Sequence, residues 1–297
     1  MNRRFKFGLA LAAASVAILG ISRYMVHSLT RSVRVSIEDS PSNLGLKYED
    51  VSFPAAVDGL MLRGWYVPAE KSDRCIIMTH GGAYHRADPA IGMLEIAGKL
   101  VACDYNVLMF DLRGHGESAD GKMTAGYYER RDVQGAITYA KERGMLPEHI
   151  GLLGFSMGAA ASLLAAAEDK ELAAVVSDSC WADTMHLIES EIAKRRYLPG
   201  FVSAIMPSIA KVAYGVDIAE ARPLVAVHEF APRPILFIHG EFDGIVPVEH
   251  AMKLYHSSNN PRNGLWIVPE AEHVGSFRAH PDEYIDRVVA FFDQAMK

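Results

Sequence analysis

Short apolar segments alternate with amphipathic ones along most of the chain, from Tyr48 to the C-terminus. Apolar runs of about four to eight residues between turn-forming residues are typical of buried strands, and apolar residues spaced by three and four indicate helices. The predicted strands are Val51–Val57, Met61–Val67, Cys75–Thr79, Asn106–Phe110, Ile150–Phe155, Ala173–Ser177, Ile235–His239 and Leu265–Val268. The predicted helices are Ile91–Ala102, Arg131–Arg143, Met157–Glu168, Val248–His256 and Pro281–Ala295.

The order of these elements predicts the fold class. The first two strands flank Asp58-Gly59, a strong signal for a two-residue hairpin turn. Strand–helix units then repeat, and such units build parallel strands with crossover helices. The sequence therefore predicts an α/β fold with a mostly parallel eight-stranded sheet and helices on both faces.

One connection is too long for an ordinary loop. More than fifty residues separate Ser177 from Ile235, so this segment should have structure of its own. We expect a helical cap at about residues 181–230, beginning near Trp181 and including a helix at Ala182–Arg196. Its apolar stretch Phe201–Tyr214 either lines a hydrophobic entrance or packs the cap on the core, and the sequence favours neither.

The N-terminus differs from the rest of the chain. Basic residues, including Arg3 and Lys6, precede an apolar run over Phe7–Ile21, and Arg23 follows it. This pattern is typical of a signal anchor or signal peptide over residues 1–27. Because no clear cleavage site follows, an uncleaved anchor is preferred over a cleaved signal peptide, and a hydrophobic helix packed on the domain is the remaining alternative. A polar stalk at 28–47 and the catalytic domain at 48–297 are expected to follow. A basic flank favours an N-terminus that stays in the cytoplasm, so the rest of the chain is expected to be exported. The catalytic domain would then be membrane-anchored and extracytoplasmic, or secreted if the signal is cleaved.

Composition excludes several classes of function. The net charge of −6 gives no footprint for nucleic acid. Neither a G-x-G-x-x-G after the first parallel strand nor a G-x-x-x-x-G-K-[ST] motif is present, which disfavours redox and phosphoryl-transfer enzymes. The histidines are scattered without metal-ligand spacing, so no metal or organic cofactor is expected. Cys75, Cys103 and Cys180 are odd in number and widely spaced, which predicts three buried or half-buried thiols rather than disulfides.

Gly154-Phe155-Ser156-Met157-Gly158 is the sharpest chemical signal. It follows a predicted strand and opens an alanine-rich helix. A serine in such a strand-to-helix turn projects its hydroxyl above the sheet, and the helix N-terminus favours developing negative charge. Ser156 is therefore the candidate nucleophile.

A serine nucleophile needs a base and an orienting acid, which in this topology follow it in the order acid, histidine. Asp243 lies in a glycine-flanked turn after the seventh strand, where Glu241 is its only local rival. His273 lies in the loop after the last strand, whereas the competing His280 directly precedes a proline and the terminal helix. We therefore predict a triad of Ser156, Asp243 and His273.

The oxyanion of such a reaction requires preformed N–H donors. One is expected from the amide of Met157, the residue after the nucleophile. The second is expected from the loop after Cys75–Thr79, where Gly82 is the first choice and Ala83 the second. His80, in the same loop, is expected to be structural.

Together these motifs make the chain similar to the α/β hydrolases, and within them to the membrane-anchored, serine-aminopeptidase-like (S33-type) branch. The similarity runs from about Tyr48 to the C-terminus and includes Asp111-Leu112-Arg113-Gly114-His115-Gly116-Glu117-Ser118. Those residues are interpreted as a tight structural turn held by Arg113 and Ser118. The histidine loop carries an additional carboxylate, Glu272, in place of the commoner glycines.

The resemblance implies hydrolysis through an acyl-enzyme. We expect a carboxylic-ester hydrolase whose substrate is a small ester with an apolar acyl chain, lipid-like if the protein is anchored at a membrane. The same triad serves aminopeptidases, amidases and thioesterases. A carboxylate that binds a substrate amino group would favour an aminopeptidase, and Glu189, Glu191 and Glu272 are candidates. A binding protein with vestigial catalysis is the remaining alternative.

Overall fold

The computed structural model describes residues 3–32, 34–188 and 200–296. In this part of the chain, a single eight-stranded sheet has the order β1-β2-β4-β3-β5-β6-β7-β8. The first two strands run antiparallel to their neighbours, and the other neighbouring pairs are parallel. The strands are β1 Glu49–Pro54, β2 Met61–Val67, β3 Cys75–Thr79, β4 Asn106–Phe110, β5 Ile150–Phe155, β6 Ala174–Asp178, β7 Ile235–Gly240 and β8 Gly264–Val268.

Helices cover both faces of the sheet, and each face has its own buried apolar cluster. The described helices are α1 Arg3–Leu29, α2 Met93–Ala102, α3 Glu129–Glu142, α4 Met157–Glu168, α5 Gly200–Tyr214, α6 Pro223–Phe230, α7 Glu249–Ser258, α8 Ser276–Ala279 and α9 Pro281–Ala295. Helices α3, α4, α6 and α7 contribute to one cluster, and α2, α8 and α9 contribute to the other. The predicted fold class, an α/β-hydrolase sheet between two helical layers, is confirmed.

The hairpin between β1 and β2 is wider than its sequence signal suggested. Residues 55–60 separate the two strands, so Asp58-Gly59 forms only part of the turn. The amide of Ala56 donates to the carbonyl of Arg131, 2.9 Å away, and Arg113 donates to the carboxylate of Asp58, also at 2.9 Å. These bonds to distant segments hold the chain in the wider path.

An insertion separates β6 from β7. Its described part includes α5 and α6, and Trp181 at its start is buried and donates through Nε1 to the Thr184 hydroxyl, 2.9 Å away. Helix α6 packs on α4 and α7, whereas α5 packs on α1. The predicted helix Ala182–Arg196 is helical over residues 184–188, and its remainder lies outside the described residues.

The N-terminal helix corrects the predicted membrane anchor. Residues Arg3–Leu29 do form one long helix, α1. Among the described residues, however, no helix is both long and apolar enough to cross a bilayer. Alanine, glycine and serine make up much of the apolar run. The last turns of α1, which follow this run, pack on the domain, where Met25 and Val26 are buried. The predicted localisation as a membrane-anchored domain is therefore wrong.

The segment after α1 lies against the domain. The carbonyl of Thr30 accepts from the amide of Met123 at 2.9 Å. The guanidinium of Arg34 donates to the carbonyls of Gly116 and Ser118, at 2.6 and 2.7 Å. The end of α1 is thereby held beside the loop that follows β4.

The three thiols allow a test of this packing. Cys75 and Cys180 are buried, and Cys103 is partly exposed. Burial raises the pKa of Cys75 to about 12 and also raises the pKa of Cys180. Because the thiolate is the reactive form, iodoacetamide at neutral pH should label only Cys103 in the folded protein, and all three in guanidinium chloride. Intact-mass spectrometry would count the labels, and two labels on the folded protein would contradict the packing of one buried strand or loop.

Candidate active site

Ser156 occupies a strained turn between β5 and α4. Its φ of 51° and ψ of −114° lie outside the regions that ordinary residues favour. The neighbouring glycines make the turn possible: a Cβ at Gly158 would lie 2.2 Å from the carbonyl oxygen of Thr79, and one at Gly154 would lie 2.6 Å from Cα of Ala159. The amide of Ser156 donates to the carbonyl of Asp178, 2.9 Å away, which fixes the turn to the neighbouring strand.

The structure brings the three predicted triad residues together. His273 Nδ1 lies 2.7 Å from Asp243 Oδ2, and His273 Nε2 lies 2.9 Å from Ser156 Oγ. Since a carboxylate only accepts hydrogen bonds, Nδ1 carries the proton and Nε2 is free to accept from the serine hydroxyl. This arrangement can remove a proton from Ser156 as the hydroxyl attacks an electrophile.

The carboxylate of Asp243 receives more donors than the sequence indicated. Its Oδ1 accepts from the amides of Ile245 and Val246, at 2.9 and 2.8 Å, and its Oδ2 lies 3.2 Å from Nε2 of the buried His239. Burial by itself would raise the pKa of Asp243, but the hydrogen bonds from His239 and His273 outweigh it and hold the pKa well below its usual range. Asp243 therefore stays ionised at neutral pH.

His239 was missed in the sequence because it falls inside a strand. Its Nε2 also lies 2.7 Å from the carbonyl of Val246, so both groups it faces are acceptors and Nε2 must carry the proton. Burial would lower the pKa of His239, but the bond to Asp243 outweighs it and raises the pKa. The spacing of His239 and Asp243 in the His-x-x-x-Asp sequence was the one available signal.

A group of polar residues around Asp178, which the sequence patterns did not indicate, supports the loop that carries His273. Val274, with a φ of 52°, donates its amide to Ser179 Oγ at 3.0 Å. Ser179 Oγ in turn donates to the buried carboxylate of Asp178 at 2.9 Å, and Ser276 Oγ lies 3.3 Å from the same oxygen. Burial raises the pKa of Asp178 to about 6. The end of β6 thus contacts both the Ser156 turn and the loop that carries His273.

The loop after β3 brings Gly82 close to Met157. A Cβ at Gly82 would meet the sulfur of Met157 at 3.4 Å, and both residues line the same cavity as Ser156. Gly82 and Met157, the two predicted oxyanion residues, therefore lie close together at the cavity that contains Ser156. Ala83, the second choice, also lines the cavity.

Two buried histidines fix the peptide groups of this loop. His80 Nε2 accepts from the amide of Leu112 at 3.0 Å, so its Nδ1 carries the proton and donates to the Gly81 carbonyl at 2.6 Å. His115 Nε2 lies 3.0 Å from the Gly82 carbonyl. Burial, then the nearby His115, hold the pKa of His80 well below its usual value, so His80 is neutral. Because the C=O and N–H of a trans peptide point in opposite directions, the Gly82 and Ala83 amides point away from these histidines.

The turn that contains His115 is held by buried ionic and polar contacts. Arg113 donates to the buried carboxylate of Asp132 through its Nη2 at 2.6 Å, and Ser118 Oγ donates to the Asp111 carbonyl at 2.6 Å. The sequence identified this turn as structural, but its contact with the oxyanion loop through His115 depends on the tertiary fold.

Ser156 opens onto a cavity of about 450 Å³. Its walls are almost entirely apolar and come from stretches that lie far apart in the sequence. They include Met25, Val26, Leu29, Met123, Trp181, Met185, Leu187, Ile188, Pro207, Ala210, Val216, Ile218 and Ile245. Of the apolar cap stretch at 201–214, Pro207 and Ala210 line the cavity.

The remaining polar candidates that the structure describes are not among the cavity-lining residues. Glu272 is exposed and does not line the cavity, and Glu189 and Glu191 lie outside the described residues. Glu241 is exposed and accepts from the amide of Glu270 at 3.2 Å. His280 precedes α9 and packs near Trp266. In the described part of the chain, no carboxylate or basic side chain except His273 lines the cavity.

Known structures share this architecture. An esterase of Pyrococcus furiosus, Pf2001, is 28% identical and superposes with a TM-score of 0.72, covering 91% of this chain and 99% of its own. The α/β hydrolase GrgF of Penicillium superposes with a TM-score of 0.67 at 22% identity, covering 84% and 99% of the two chains, a likeness that concerns the fold alone.

Sequence relatives extend the comparison. The uncharacterised protein YfhR of Escherichia coli is 30% identical over 257 residues, which are 84% of this chain and 81% of YfhR. The model of the prolyl oligopeptidase family matches residues 97–297, more than half of the chain, where the sequence resemblance had indicated the serine-aminopeptidase-like branch. The protein is a hydrolase with the α/β fold, and it belongs to the prolyl oligopeptidase family.

Proposed function

We propose that this protein is a carboxylic-ester hydrolase that acts through an acyl intermediate on Ser156. The observation that carries this function is the hydrogen-bonded series from Asp243 through His273 to Ser156, with distances of 2.7 and 2.9 Å, at an apolar cavity. The similarity to an esterase at 28% identity over most of both chains supports the same chemistry.

The reaction follows from the positions of the protons. His273 Nε2 takes the proton of Ser156 as Oγ attacks the ester carbonyl, and Asp243 stabilises the imidazolium that forms. The carbonyl oxygen becomes an oxyanion, for which the amides of Met157 and of Gly82 or Ala83 are the proposed donors. His273 then protonates the departing alkoxide, which leaves as an alcohol. Water, deprotonated by His273, releases the acid and restores Ser156.

The cavity suggests which half of the ester is recognised. An apolar wall offers an acyl chain a dry surface, and Ser156 and His273 open onto the same cavity. A small ester with an aliphatic acyl chain is therefore the proposed substrate. The family match favours a second candidate, an amide or peptide bond, which the same serine could attack.

The nucleophile can be tested with the full chain. Wild type and Ser156→Ala would be compared on p-nitrophenyl esters from acetate to palmitate and on aminoacyl anilides. Because Ser156 Oγ is the attacking atom, kcat/KM for esters should fall by about 10,000-fold or more in the variant. A fluorophosphonate should add one label to wild type, on the peptide containing Ser156, and none to Ser156→Ala.

Ser162→Ala is the matched control, since Ser162 is buried in the same helix and its hydroxyl contacts Thr79 at 3.4 Å, away from the cavity. It should retain wild-type turnover and labelling. If the wild type hydrolyses anilides but no esters, the substrate is an amide. Fluorophosphonate labelling at another serine would overturn Ser156 as the proposed nucleophile.

His239 should act on the rate through Asp243. Removing the imidazole in His239→Leu leaves the buried carboxylate with one donor fewer, and a bond to a charged group is worth about 1.5–3 kcal/mol. We expect kcat to fall by about 10- to 100-fold with little change in KM. His239→Gln keeps an N–H near Nε2 and should recover most of the rate. An equal kcat for His239→Leu and wild type would show that the bond from His239 to Asp243 does not contribute to the rate.

His115 should act on the rate through the oxyanion loop. In His115→Ala the Gly82 carbonyl loses its anchor, so the amides beyond it lose their fixed direction. Loss of one oxyanion donor costs about 100- to 1,000-fold, so we expect a smaller fall in kcat, about 10- to 100-fold, at nearly constant KM. The exposed His256→Ala is the control. An unchanged kcat in His115→Ala, measured on acetate and butyrate esters, would be evidence against this positioning.

A further inference from the structure

Part of the wall of the cavity above Ser156 comes from residues that precede the catalytic domain predicted at 48–297. Met25, Val26 and Leu29, from the last turns of α1, line it together with the helical insertion. We propose that these turns of α1 form the acyl-chain wall of the site and determine the chain length of the ester it accepts, a role that rests on the function proposed above.

One face of α1 is built for this contact. Ser22, Met25 and Val26 are buried, and Leu29 is half-buried. Their spacing of three, four and seven positions places all four on one side of a helix. The intervening Tyr24, by contrast, has 72% of its surface exposed. The end of α1 therefore presents three apolar side chains and one buried serine on a single face.

The end of α1 has a fixed position relative to Ser156. Thr30 donates its hydroxyl to the carbonyl of Val26 at 2.8 Å, and its own carbonyl accepts from the amide of Met123. The side chain of Met123 also lines the cavity and would lie 3.2 Å from a Cβ at Gly82, next to the proposed oxyanion loop. A hydrogen bond between main chains thus joins this wall to the loop beside the reacting atoms.

Helix α5 completes this side of the cavity. It packs along α1, and its Pro207 and Ala210 face the same space. Met25 and Met123 bring flexible thioether side chains, which adapt to an irregular aliphatic ligand. Because the described walls bear no carboxylate and no basic side chain except His273, the chemistry that fits is an aliphatic acyl chain without a terminal charge.

Substitutions that change the wall volume test this role. Each buried methylene should raise kcat/KM about fourfold, corresponding to about 0.8 kcal/mol, until the chain meets the wall. In Val26→Trp and Leu29→Trp, the indole fills the space of the chain, so the kcat/KM ratio of laurate to acetate ester should fall at least tenfold. Val26→Ala should move the optimum to longer chains. Tyr24→Trp, on the exposed side of the same helix, should leave the whole profile unchanged.

A binding measurement separates this wall from the reaction. In a Ser156→Ala background, dansyl-undecanoic acid would be titrated by fluorescence, with and without Val26→Trp or Tyr24→Trp. We expect Val26→Trp to weaken binding at least tenfold and Tyr24→Trp to leave it unchanged, even if no ester is hydrolysed by the wild type. The proposed role of α1 would be overturned by identical chain-length profiles for wild type, Val26→Trp and Val26→Ala, together with equal affinities for the fatty acid.

Discussion

The first turn of α4 lies so close to the end of β3 that no side chain fits between them. A Cβ at Gly158 would lie 2.2 Å from one carbonyl oxygen of that strand end and 2.4 Å from the next, so only glycine allows this approach. The contact forces Ser156 into its unusual backbone conformation and brings it beside the loop of Gly82. The acid and the histidine must then reach this point, and they do so because the parallel strands end at the same edge of the sheet.

Buried polar groups, in addition to the three residues of the proposed triad, hold these loops in position. Asp178 accepts from Ser179 and Ser276, His239 contacts Asp243, and two histidines bind the carbonyls of the glycine loop. A buried polar group that loses its partner keeps the full cost of desolvation, so such contacts resist small displacements. These contacts support the positions in which the serine and the histidine lie within hydrogen-bonding distance.

The apolar face of α1 illustrates how one pattern fits two structures. A run of small and apolar residues beside basic ones is typical of a signal anchor, but burial of the end of the same helix against a domain requires similar residues. Whether such a helix packs on its own domain depends on whether the rest of the protein offers a complementary apolar surface. Here the insertion and the loop of Met123 supply that surface, and α1 becomes part of the cavity.

Local sequence patterns were enough to predict the alternating elements and the candidate chemistry. Strands β3, β4 and β5 and helices α4 and α9 have the predicted bounds, because apolar periodicity and glycine or proline boundaries are local properties. The three candidate triad residues followed from a local motif and from chain order. Those patterns could not predict the partners of Asp243, the anchors of the Gly82 loop or the walls of the cavity. Those contacts join residues far apart in the sequence, such as Gly82 and His115, and depend on how the sheet and its loops pack.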